Sequence, residues 1–222
     1  MNLFLLRHFE SEKNITNMLS SSENNEPITS KGRQLGIDFA TYYKTFCNRN
    51  NITLNKIHCT ESTRAIETAQ IIADTIVVPI ECHASFKSTS SGTLMGKPME
   101  EIKNLDSFFY HNYYLYRKGL LNLYYFDKNW KDPEKETKQD FEIRVINEFL
   151  KIVSSNEDIL IIGHRASIIA IIIYIARNAG IYPYDFYGHI EIELGKISWI
   201  QYKDHIWNIK YINENLQDII DA

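Results

Sequence analysis

The stretch that decides the fold is LLRHFES at residues 5–11, together with IIGHR at residues 161–165. Each segment places a histidine, His8 or His164, directly after an apolar run that is typical of a buried strand. Each histidine also adjoins an arginine within its own segment. In an open α/β sheet, ligands bind in the crevice outside the carboxyl ends of the strands. We therefore expect the two segments to meet at one chemical site.

The bulk composition is that of an ordinary globular protein. The chain has 222 residues, of which 44% are hydrophobic and 23% charged, and these values fit one α/β domain over residues 1–222. A net charge of -4 gives no general basic surface for nucleic acid, although a local basic pocket is compatible with it. The cysteines, Cys47, Cys59 and Cys82, are odd in number and have no metal-like spacing. This pattern favours a reducing compartment over a disulfide framework.

The sequence predicts no membrane segment. The apolar start ends after six residues at Arg7, which is too early for a signal peptide. The strongest apolar run, residues 166–176, is bracketed by Arg165 and Arg177 and is far shorter than the roughly 20 residues that a membrane span needs. We expect this run to be a buried helix and the protein to be cytoplasmic.

Short apolar runs alternate with segments of helical spacing along the chain. Helices are predicted from Thr29 or Ser30 onward, over residues 62–76 and after Arg165, whereas the polar residues 10–26 are predicted to be surface loop. Strands are predicted at residues 2–6, 56–60, 77–82, 158–162, 196–201 and 206–212. This alternation indicates an α/β three-layer sandwich, with a mostly parallel central sheet flanked by helices.

An aromatic-rich segment interrupts this pattern. Ten of the 23 residues from Phe108 to Trp130 are aromatic. They include Tyr110, Tyr113, Tyr114, Tyr116, Tyr124 and Tyr125. One interpretation is a helical pair packed on the sheet; the other is a cap insertion, about residues 103–135, whose tyrosines line the pocket. Tyrosine suits a partly solvated pocket wall because it combines apolar area with a hydroxyl. Both interpretations can hold for different rings.

The arginine and histidine residues suit phosphoryl transfer. Neutral imidazole is a competent nucleophile, and covalent catalysis divides one difficult displacement into two easier ones. The charge on a transferring phosphoryl group is stabilised by fixed cations, and the planar guanidinium donates to two phosphate oxygens at once. Arg64, in CTESTRAIETA at residues 59–69, lies in the first turn of a predicted helix, where anions are favoured. It is a candidate phosphate clamp.

These motifs resemble those of the histidine phosphatase superfamily, also called phosphoglycerate mutase-like. LLRHFESEKN resembles the family's Arg-His-Gly motif with its following asparagine, and CTESTRAIETA resembles the Ser-Pro-x-x-Arg-Ala-x-x-Thr-Ala motif. PITSKGRQLG, SGTLMGKPMEEI, KETKQDFEIRV and IIGHRASI resemble the remaining family segments, in the family's order. The resemblance covers nearly the whole chain.

The resemblance implies a role for each matching residue. His8 would be the residue phosphorylated, while Arg7, Arg64 and His164 would bind the phosphoryl group and Asn14 would support the site. Further candidates for phosphate or substrate binding are Ser11, Ser88 and Arg165. The implied substrate is a small phosphorylated molecule, with no metal or other cofactor, no nucleic acid and no membrane as partner.

The chain departs from the family pattern at the proton donor. Most relatives have a glutamate four residues before the first glycine of the glycine-rich segment, and this chain has Ser88 there. Arg165 occupies the position of the aspartate that serves as acid in another branch. Other acids nearby, Glu81, Glu100 and Glu101, align only with a shift. Phe9 also replaces the usual glycine after the first histidine, and we expect it to narrow or reorient the phosphate loop.

These features leave two classes of function open. The first is a metal-independent phosphomonoester hydrolase that works through a phosphohistidine at His8. The second is a degenerate family member that binds a phosphorylated ligand or partner with little or no turnover, which Ser88 and Phe9 favour. The missing acid and the tyrosine-rich insertion disfavour a dedicated phosphoglycerate mutase.

Overall fold

The computed structural model describes residues 1–19, 25–117, 128–180 and 190–221, with the backbone alone described at residues 116 and 117. Its strands are β1 (Asn2–Arg7), β2 (Leu54–Cys59), β3 (Ile80–Cys82), β4 (Asp158–Gly163), β5 (Ile197–Lys203) and β6 (Ile206–Glu214). They form one sheet in the order β3-β2-β4-β1-β5-β6. The first four strands pair in parallel, while β5 runs antiparallel to β1, and β6 to β5. The prediction of a mostly parallel sheet is confirmed.

Helices cover both faces of this sheet. They are α1 (Glu12–Thr16), α2 (Ser30–Arg49), α3 (Thr63–Ile76), α4 (Met99–Leu105), α5 (Ser107–Arg117), α6 (Lys138–Val153), α7 (Arg165–Asn178) and α8 (Leu216–Asp221). One core cluster joins α2 and α3 to the sheet, and a second joins α6 and α7 to its other face. The chain therefore has the predicted α/β three-layer architecture.

The alternation of side chains along β1 explains why it lies at the centre. Phe4 and Leu6 enter the core beneath α2 and α3, whereas Leu3 and Leu5 enter the core beneath α6 and α7. Successive side chains of a strand point to opposite faces, so an unbroken apolar run requires cover on both. Each fully buried side chain of this size contributes about 1.5–3 kcal/mol.

The structure differs from the predicted elements at two places. The edge strand β3 begins at Ile80 and not at residue 77, because Val77 adopts a left-handed conformation (φ 62°) that ends α3. The predicted loop at residues 10–26 contains the short helix α1, whose first turn is closed by Ser11 and Asn14. At α2, Thr29 is the N-cap, since its hydroxyl accepts the Gly32 N–H at 2.9 Å.

The apolar run at residues 166–176 forms most of α7, as predicted. Its isoleucines are buried against β1, β4 and α6, which accounts for a helix that is apolar on nearly every side. In the part of the chain that the structure describes, no helix has the length and apolar character needed to cross a membrane.

Candidate active site

The parallel pairing of β1 and β4 brings His8 and His164 together. Arg7 is the register partner of Gly163, and the His8 N–H donates to the Gly163 carbonyl at 3.2 Å. The two imidazole centroids are 5.3 Å apart, with their planes at 77°. Both side chains are buried, at 3% and 5% exposure. Two segments from opposite ends of the sequence thus meet at the carboxyl edge of adjacent central strands.

Local geometry gives His8 the form that a nucleophile requires. Its Nδ1 lies 2.7 Å from the Phe9 carbonyl oxygen, which can only accept, so Nδ1 carries the proton and Nε2 the lone pair. Burial lowers the pKa of His8 well below its usual value, and the positive charges of Arg7 and Arg64 lower it further. His8 is therefore a neutral imidazole near pH 7, with Nε2 available for attack.

His164 begins helix α7 and is fixed through its backbone. Its N–H donates to the Ser167 hydroxyl at 3.2 Å, and that hydroxyl donates to the His164 carbonyl at 3.0 Å. Burial, then Arg64 and His8, lower the pKa of His164 well below its usual value. Its Nε2 is buried and has no hydrogen-bond partner among the described residues. A buried polar atom of this kind is expected to bind a ligand or water.

Carbonyl groups of the segment before β5 hold two arginines at the pocket. Arg7 Nη1 donates to the Ile192 carbonyl at 2.7 Å, and Arg165 Nη2 donates to the Ile190 carbonyl at 3.3 Å. Both side chains line the pocket beside the histidines. A guanidinium group has five N–H donors, so donation to one carbonyl is compatible with further donation to an anion in the pocket.

Arg64 lies behind this pocket and does not line it. It is fully buried near the start of α3, and its Nη1 donates to Glu26 Oε2 at 2.9 Å. Burial lowers the pKa of Arg64, an effect that the Glu26 carboxylate opposes. The charge of Arg64 nevertheless contributes to the lowered pKa of both His8 and His164. The second motif is thus close enough to act electrostatically on the pair.

Asn14 and Ser11 have different positions. Asn14 lines the pocket, and its Oδ1 accepts from the Ser11 hydroxyl at 2.7 Å and from the Ser11 N–H at 2.9 Å. Ser11 is completely buried and does not line the pocket, although it was predicted as a phosphate or substrate contact. In this structure, Ser11 orients Asn14.

The pocket has a volume of about 340 Å³ and gathers most of the predicted site. Among the sequence candidates, its lining includes Arg7, His8, Asn14, Ser88, His164 and Arg165. Additional cations at its wall, Lys13 and Lys138, were missed by the sequence analysis, although both lie within segments that it quoted, LLRHFESEKN and KETKQDFEIRV. The pocket is therefore positively charged although the chain as a whole is acidic.

Glu136 was also missed, and it is the one carboxylate in the lining among the residues that the structure describes. Glu81, Glu100 and Glu101 do not line it. The signal was present, since the segment KETKQDFEIRV matched a family segment and contains Glu136. Its Oε2 accepts from Arg144 Nη2 at 2.7 Å and from the Ser90 N–H at 3.3 Å.

The pair of Glu136 and Arg144 fixes the loop that carries Ser88. Arg144 Nη1 donates to the Ser85 carbonyl at 2.6 Å and to the Lys87 carbonyl at 3.0 Å, while Nη2 donates to the Ser88 carbonyl at 3.2 Å. The Glu136 carboxylate thus helps to hold this loop in place through Arg144. The bond from Arg144 to the Ser88 carbonyl fixes the backbone of a residue that lines the pocket.

The aromatic segment supplies one wall of the pocket. Phe109, Tyr113 and Trp130 line it, with the Phe109 and Tyr113 rings stacked at 4.9 Å. Phe109 and Trp130 are also buried in a third core cluster, with Met99 and Ile102 of α4, and this cluster contains no residue of the sheet. The pocket-lining interpretation thus fits Phe109, Tyr113 and Trp130, whereas packing of these rings on the sheet is not observed. Tyr110 and Tyr114 do not line the pocket. The side chain of Tyr116 and all of Tyr124 and Tyr125 lie outside the described residues.

Phe9 does not have the effect on the pocket that we expected. Its ring is buried and packs edge-on against Phe39 at 5.6 Å, and it does not line the pocket. A Cβ atom at Gly36 would lie 3.1 Å from this ring, and one at Gly195 would lie 2.8 Å away. The larger side chain is accommodated in the core by two glycines and leaves the space beside His8 open.

Comparison with solved structures shows the same fold in several proteins, two of which are named as phosphatases. Bacillus stearothermophilus YhfR matches with a TM-score of 0.78 and 19% identity, covering 96% of each chain. The α-ribazole phosphatase of Shigella flexneri matches at 0.74 and 20%, again covering 96% of each chain. A mutant phosphoserine phosphatase of Entamoeba histolytica, solved in complex with phosphoserine, matches at 0.71 and 20% with the same coverage.

The sequence itself gives a more specific assignment. A search of curated proteins finds no match. The family model of the histidine phosphatase superfamily, branch 1, matches residues 3–215, which include both strand-end histidines and the Arg64 motif. The match and the fold agree with the motifs that the sequence analysis identified. The chain therefore belongs to the histidine phosphatase superfamily.

Proposed function

We propose that this protein is a metal-independent phosphatase that hydrolyses small phosphomonoesters through a phosphohistidine at His8. The observation that carries the proposal is the His8 ring itself. Its Nδ1 is engaged by the Phe9 carbonyl, its Nε2 bears the lone pair, and arginine charges surround it in a pocket. A neutral nucleophile among fixed cations is what attack on an anionic phosphoryl group requires.

The proposed reaction has two displacements. His8 Nε2 attacks phosphorus and forms an N–P bond while the P–O bond to the leaving group breaks, and the departing oxygen takes up a proton from solvent. Water then attacks the same phosphorus and releases a proton to solvent, the N–P bond breaks, and inorganic phosphate leaves with His8 restored as a neutral imidazole. Each displacement inverts the phosphoryl group, so entering and leaving atoms lie on opposite sides of it.

Charge stabilisation is assigned to the groups around His8. Arg7 donates directly to the phosphoryl oxygens, His164 contributes its buried Nε2, and Arg64 supplies positive charge from behind the pocket. Asn14 supports the site from the first turn of α1. Such groups accelerate reaction because they are already oriented when charge develops.

The wall of the pocket indicates the kind of substrate. Phe109, Tyr113 and Trp130 offer apolar and stacking surface, while Lys13 and Lys138 add positive charge to the wall of the pocket. This combination favours a phosphomonoester whose organic part has a flat or apolar group and an additional anionic or polar group. The similar structures are phosphatases named for α-ribazole and phosphoserine, both small molecules, which supports the same substrate size.

A phosphate-binding protein with little turnover is the second candidate, because Ser88 occupies the position of the usual acid. The distinguishing experiment is incubation with p-nitrophenyl phosphate from mildly acidic to neutral pH, with and without a chelator. Phosphate release that is unaffected by the chelator supports the hydrolase. Tight binding of inorganic phosphate without any hydrolysis would support the binding protein.

Arg64→Ala is expected to lower kcat/KM by about 100-fold or more, because it removes a preorganised positive charge that acts on both His8 and His164. Arg7→Ala and His164→Ala should have effects of similar size. Arg33, an exposed arginine on α2 that pairs with Glu67, provides the matched control. Kinetics on p-nitrophenyl phosphate measure the effect, and thermal unfolding shows whether the buried Arg64 variant remains folded. A folded Arg64→Ala variant with unchanged kinetics contradicts the assignment of the second motif.

Tyr113→Ala is expected to raise KM for a well-accepted substrate by roughly tenfold, equivalent to about 1.4 kcal/mol. The ring lines the pocket and stacks on Phe109, so its loss removes a contact to the organic part of the substrate. Activity on the small p-nitrophenyl phosphate should change little. Tyr114→Ala is the control, because Tyr114 is 39% exposed and does not line the pocket. Equal loss of stability in both variants, without a change in KM, supports a purely structural role.

A further inference from the structure

A second cluster of chemistry-bearing side chains lies on the edge of the sheet. His58 on β2, Glu81 on β3 and His83 directly after β3 each offer one donor atom, and these atoms all lie within 4.8 Å of one another. None of these residues lines the pocket that contains His8. His58 and Glu81 are register partners in the parallel pairing of the two strands. The pairing of β2 and β3 therefore sets the positions of His58 and Glu81, and His83 follows directly after β3.

The nitrogen atoms of the two imidazoles face each other. His58 Nδ1 is 2.9 Å from His83 Nε2, and both side chains are buried. On its other side, His83 Nδ1 lies 2.9 Å from Glu148 Oε1 on α6. A carboxylate only accepts hydrogen bonds, so the Nδ1 of neutral His83 carries the proton and its Nε2 bears the lone pair. This lone pair either accepts the Nδ1–H of His58 or, when Nδ1 of His58 is unprotonated, both nitrogens can bind one cation that lies to one side of the line between them, about 2 Å from each.

Glu81 supplies a third donor to the same position. Its Oε1 is 3.7 Å from His83 Nε2, while its Oε2 is bound by Lys56 at 2.7 Å. One oxygen is thus on the side of the imidazoles, and the other pairs with Lys56. Tetrahedral zinc, with ligands at 2.0–2.2 Å, holds its donor atoms roughly 3.3 Å apart, a value between the two observed separations.

We propose that His58, His83 and Glu81 form a zinc-binding site on the sheet edge, with Glu148 holding the Nδ1–H of His83. Two imidazoles and one carboxylate are a ligand set that zinc accepts, with water in the fourth position. A carboxylate bonded to the far nitrogen of a ligating histidine fixes the ring and strengthens the ligand. Glu81 is half exposed, so the metal can enter from solvent.

The site would connect the edge of the sheet to the active-site loop. Strand β3 has only three residues, and His83 ends it immediately before the turn at Ala84–Phe86. The chain then continues to Ser88 in the pocket. Zinc bound across β2 and β3 would tie this short strand to its neighbour and fix the start of that loop. The proposal is independent of the phosphatase assignment, because it concerns different side chains.

The test is zinc binding to the purified full chain, measured by competition with a chromophoric chelator. The unmodified protein should bind one zinc ion. His58→Gln, His83→Gln and Glu81→Gln should each weaken binding by at least about 100-fold, and Glu148→Gln by roughly 10- to 100-fold, the usual cost of losing an outer partner of a ligand. His205→Gln, an exposed histidine in the β5–β6 turn, is the control and should leave the affinity unchanged.

Two further measurements locate the metal. His8→Gln should retain zinc affinity. Loss of zinc binding in this variant would mean that His8 and His164 hold the ion, and that result would overturn the proposal. Cys59 and Cys82 have sulfur atoms 3.3 Å apart, and cobalt(II) bound by these thiols would give intense charge-transfer absorption that a site of imidazoles and carboxylate lacks. Appearance of that absorption also overturns the proposal.

Thermal unfolding gives a readout that does not depend on activity. Zinc should raise the Tm of the unmodified chain and of His205→Gln, but not that of Glu81→Gln. Glu81 is half exposed, so its replacement by glutamine preserves the fold even if the buried histidine variants do not fold. Equal zinc affinity and an equal Tm shift in the unmodified chain and in Glu81→Gln would overturn the proposal. The cluster would then be only a hydrogen-bonded chain of Glu148, His83 and His58.

Discussion

His8→Ala is expected to abolish phosphate release while the chain remains folded. The substitution removes the atom that forms the N–P bond, and the loss should be on the order of 10⁴-fold or more, as for groups that act as one catalytic unit. The side-chain hydrogen bond of His8 is made to its neighbour Phe9, so its removal leaves the contacts between β1 and β4 in place. His205→Ala, far from the pocket lining, is the matched control.

The covalent intermediate can be observed directly. Rapid quenching during turnover of the unmodified protein, followed by peptide mass spectrometry under alkaline conditions, should place an acid-labile phosphate on His8. The same experiment on His8→Ala should detect no phosphopeptide. Activity that survives in His8→Ala, together with the absence of any adduct in the unmodified protein, would overturn the proposed mechanism.

A steep dependence of rate on the leaving-group pKa is the second large effect that we expect. General-acid assistance is typically worth about 100- to 10,000-fold, and it matters most when the departing group is an alkoxide. Ser88 can donate a hydrogen bond but is too weak an acid to transfer a proton efficiently. Glu136 is in the pocket, but Arg144 and the Ser90 N–H engage it. Aryl phosphates should therefore be cleaved much faster than alkyl phosphates.

Ser88→Glu should flatten this dependence and raise the rate on alkyl esters. A carboxyl at this position lies in the pocket, on a loop held by Arg144. Ser91→Glu is the matched control, because it places the same group on the same loop at another lining position. The measurement is the rate plotted against leaving-group pKa for a series of aryl and alkyl phosphates, compared between Ser88→Glu and the unmodified protein. A flat line for the unmodified protein would mean that a proton donor is present, and Glu136→Gln would then test the carboxylate in the pocket.

The central part of the fold could be predicted because local sequence determines it. Residues 3–6 and 159–162 are apolar at every position, so each strand has apolar side chains on both faces and needs cover on two sides. The predicted start of the edge strand β3 was less accurate, because Val77 ends α3 in a left-handed conformation that β-branched residues rarely adopt. No local sequence pattern predicts this conformation. The helix α1 has five residues and no buried side chain, so it lacks the apolar periodicity on which a prediction depends.

Some residues of the candidate site could likewise be predicted from the sequence, and others could not. Arg7, His8 and His164 were predictable because they lie at the carboxyl ends of central strands, which meet by the geometry of the sheet. Lys13, Glu136 and Lys138 lie within segments that resemble family motifs, but their positions at the pocket result from packing between distant segments, which the sequence alone does not show. The orientation of Phe9 also depends on such packing, since it is the glycines at residues 36 and 195 that receive the ring.

The strand order has a consequence for how the protein is made. β1 lies between β4 and β5, and both follow it after a long stretch of chain; Asn2, at the start of β1, donates to Asp158, 156 positions later. During translation an apolar strand thus has both hydrogen-bonding edges unpaired until β4 and β5 have left the ribosome. Contacts of such long range form slowly, and exposed strand edges promote aggregation. The same arrangement that joins His8 to His164 therefore leaves β1 open to wrong pairing while the nascent chain is incomplete.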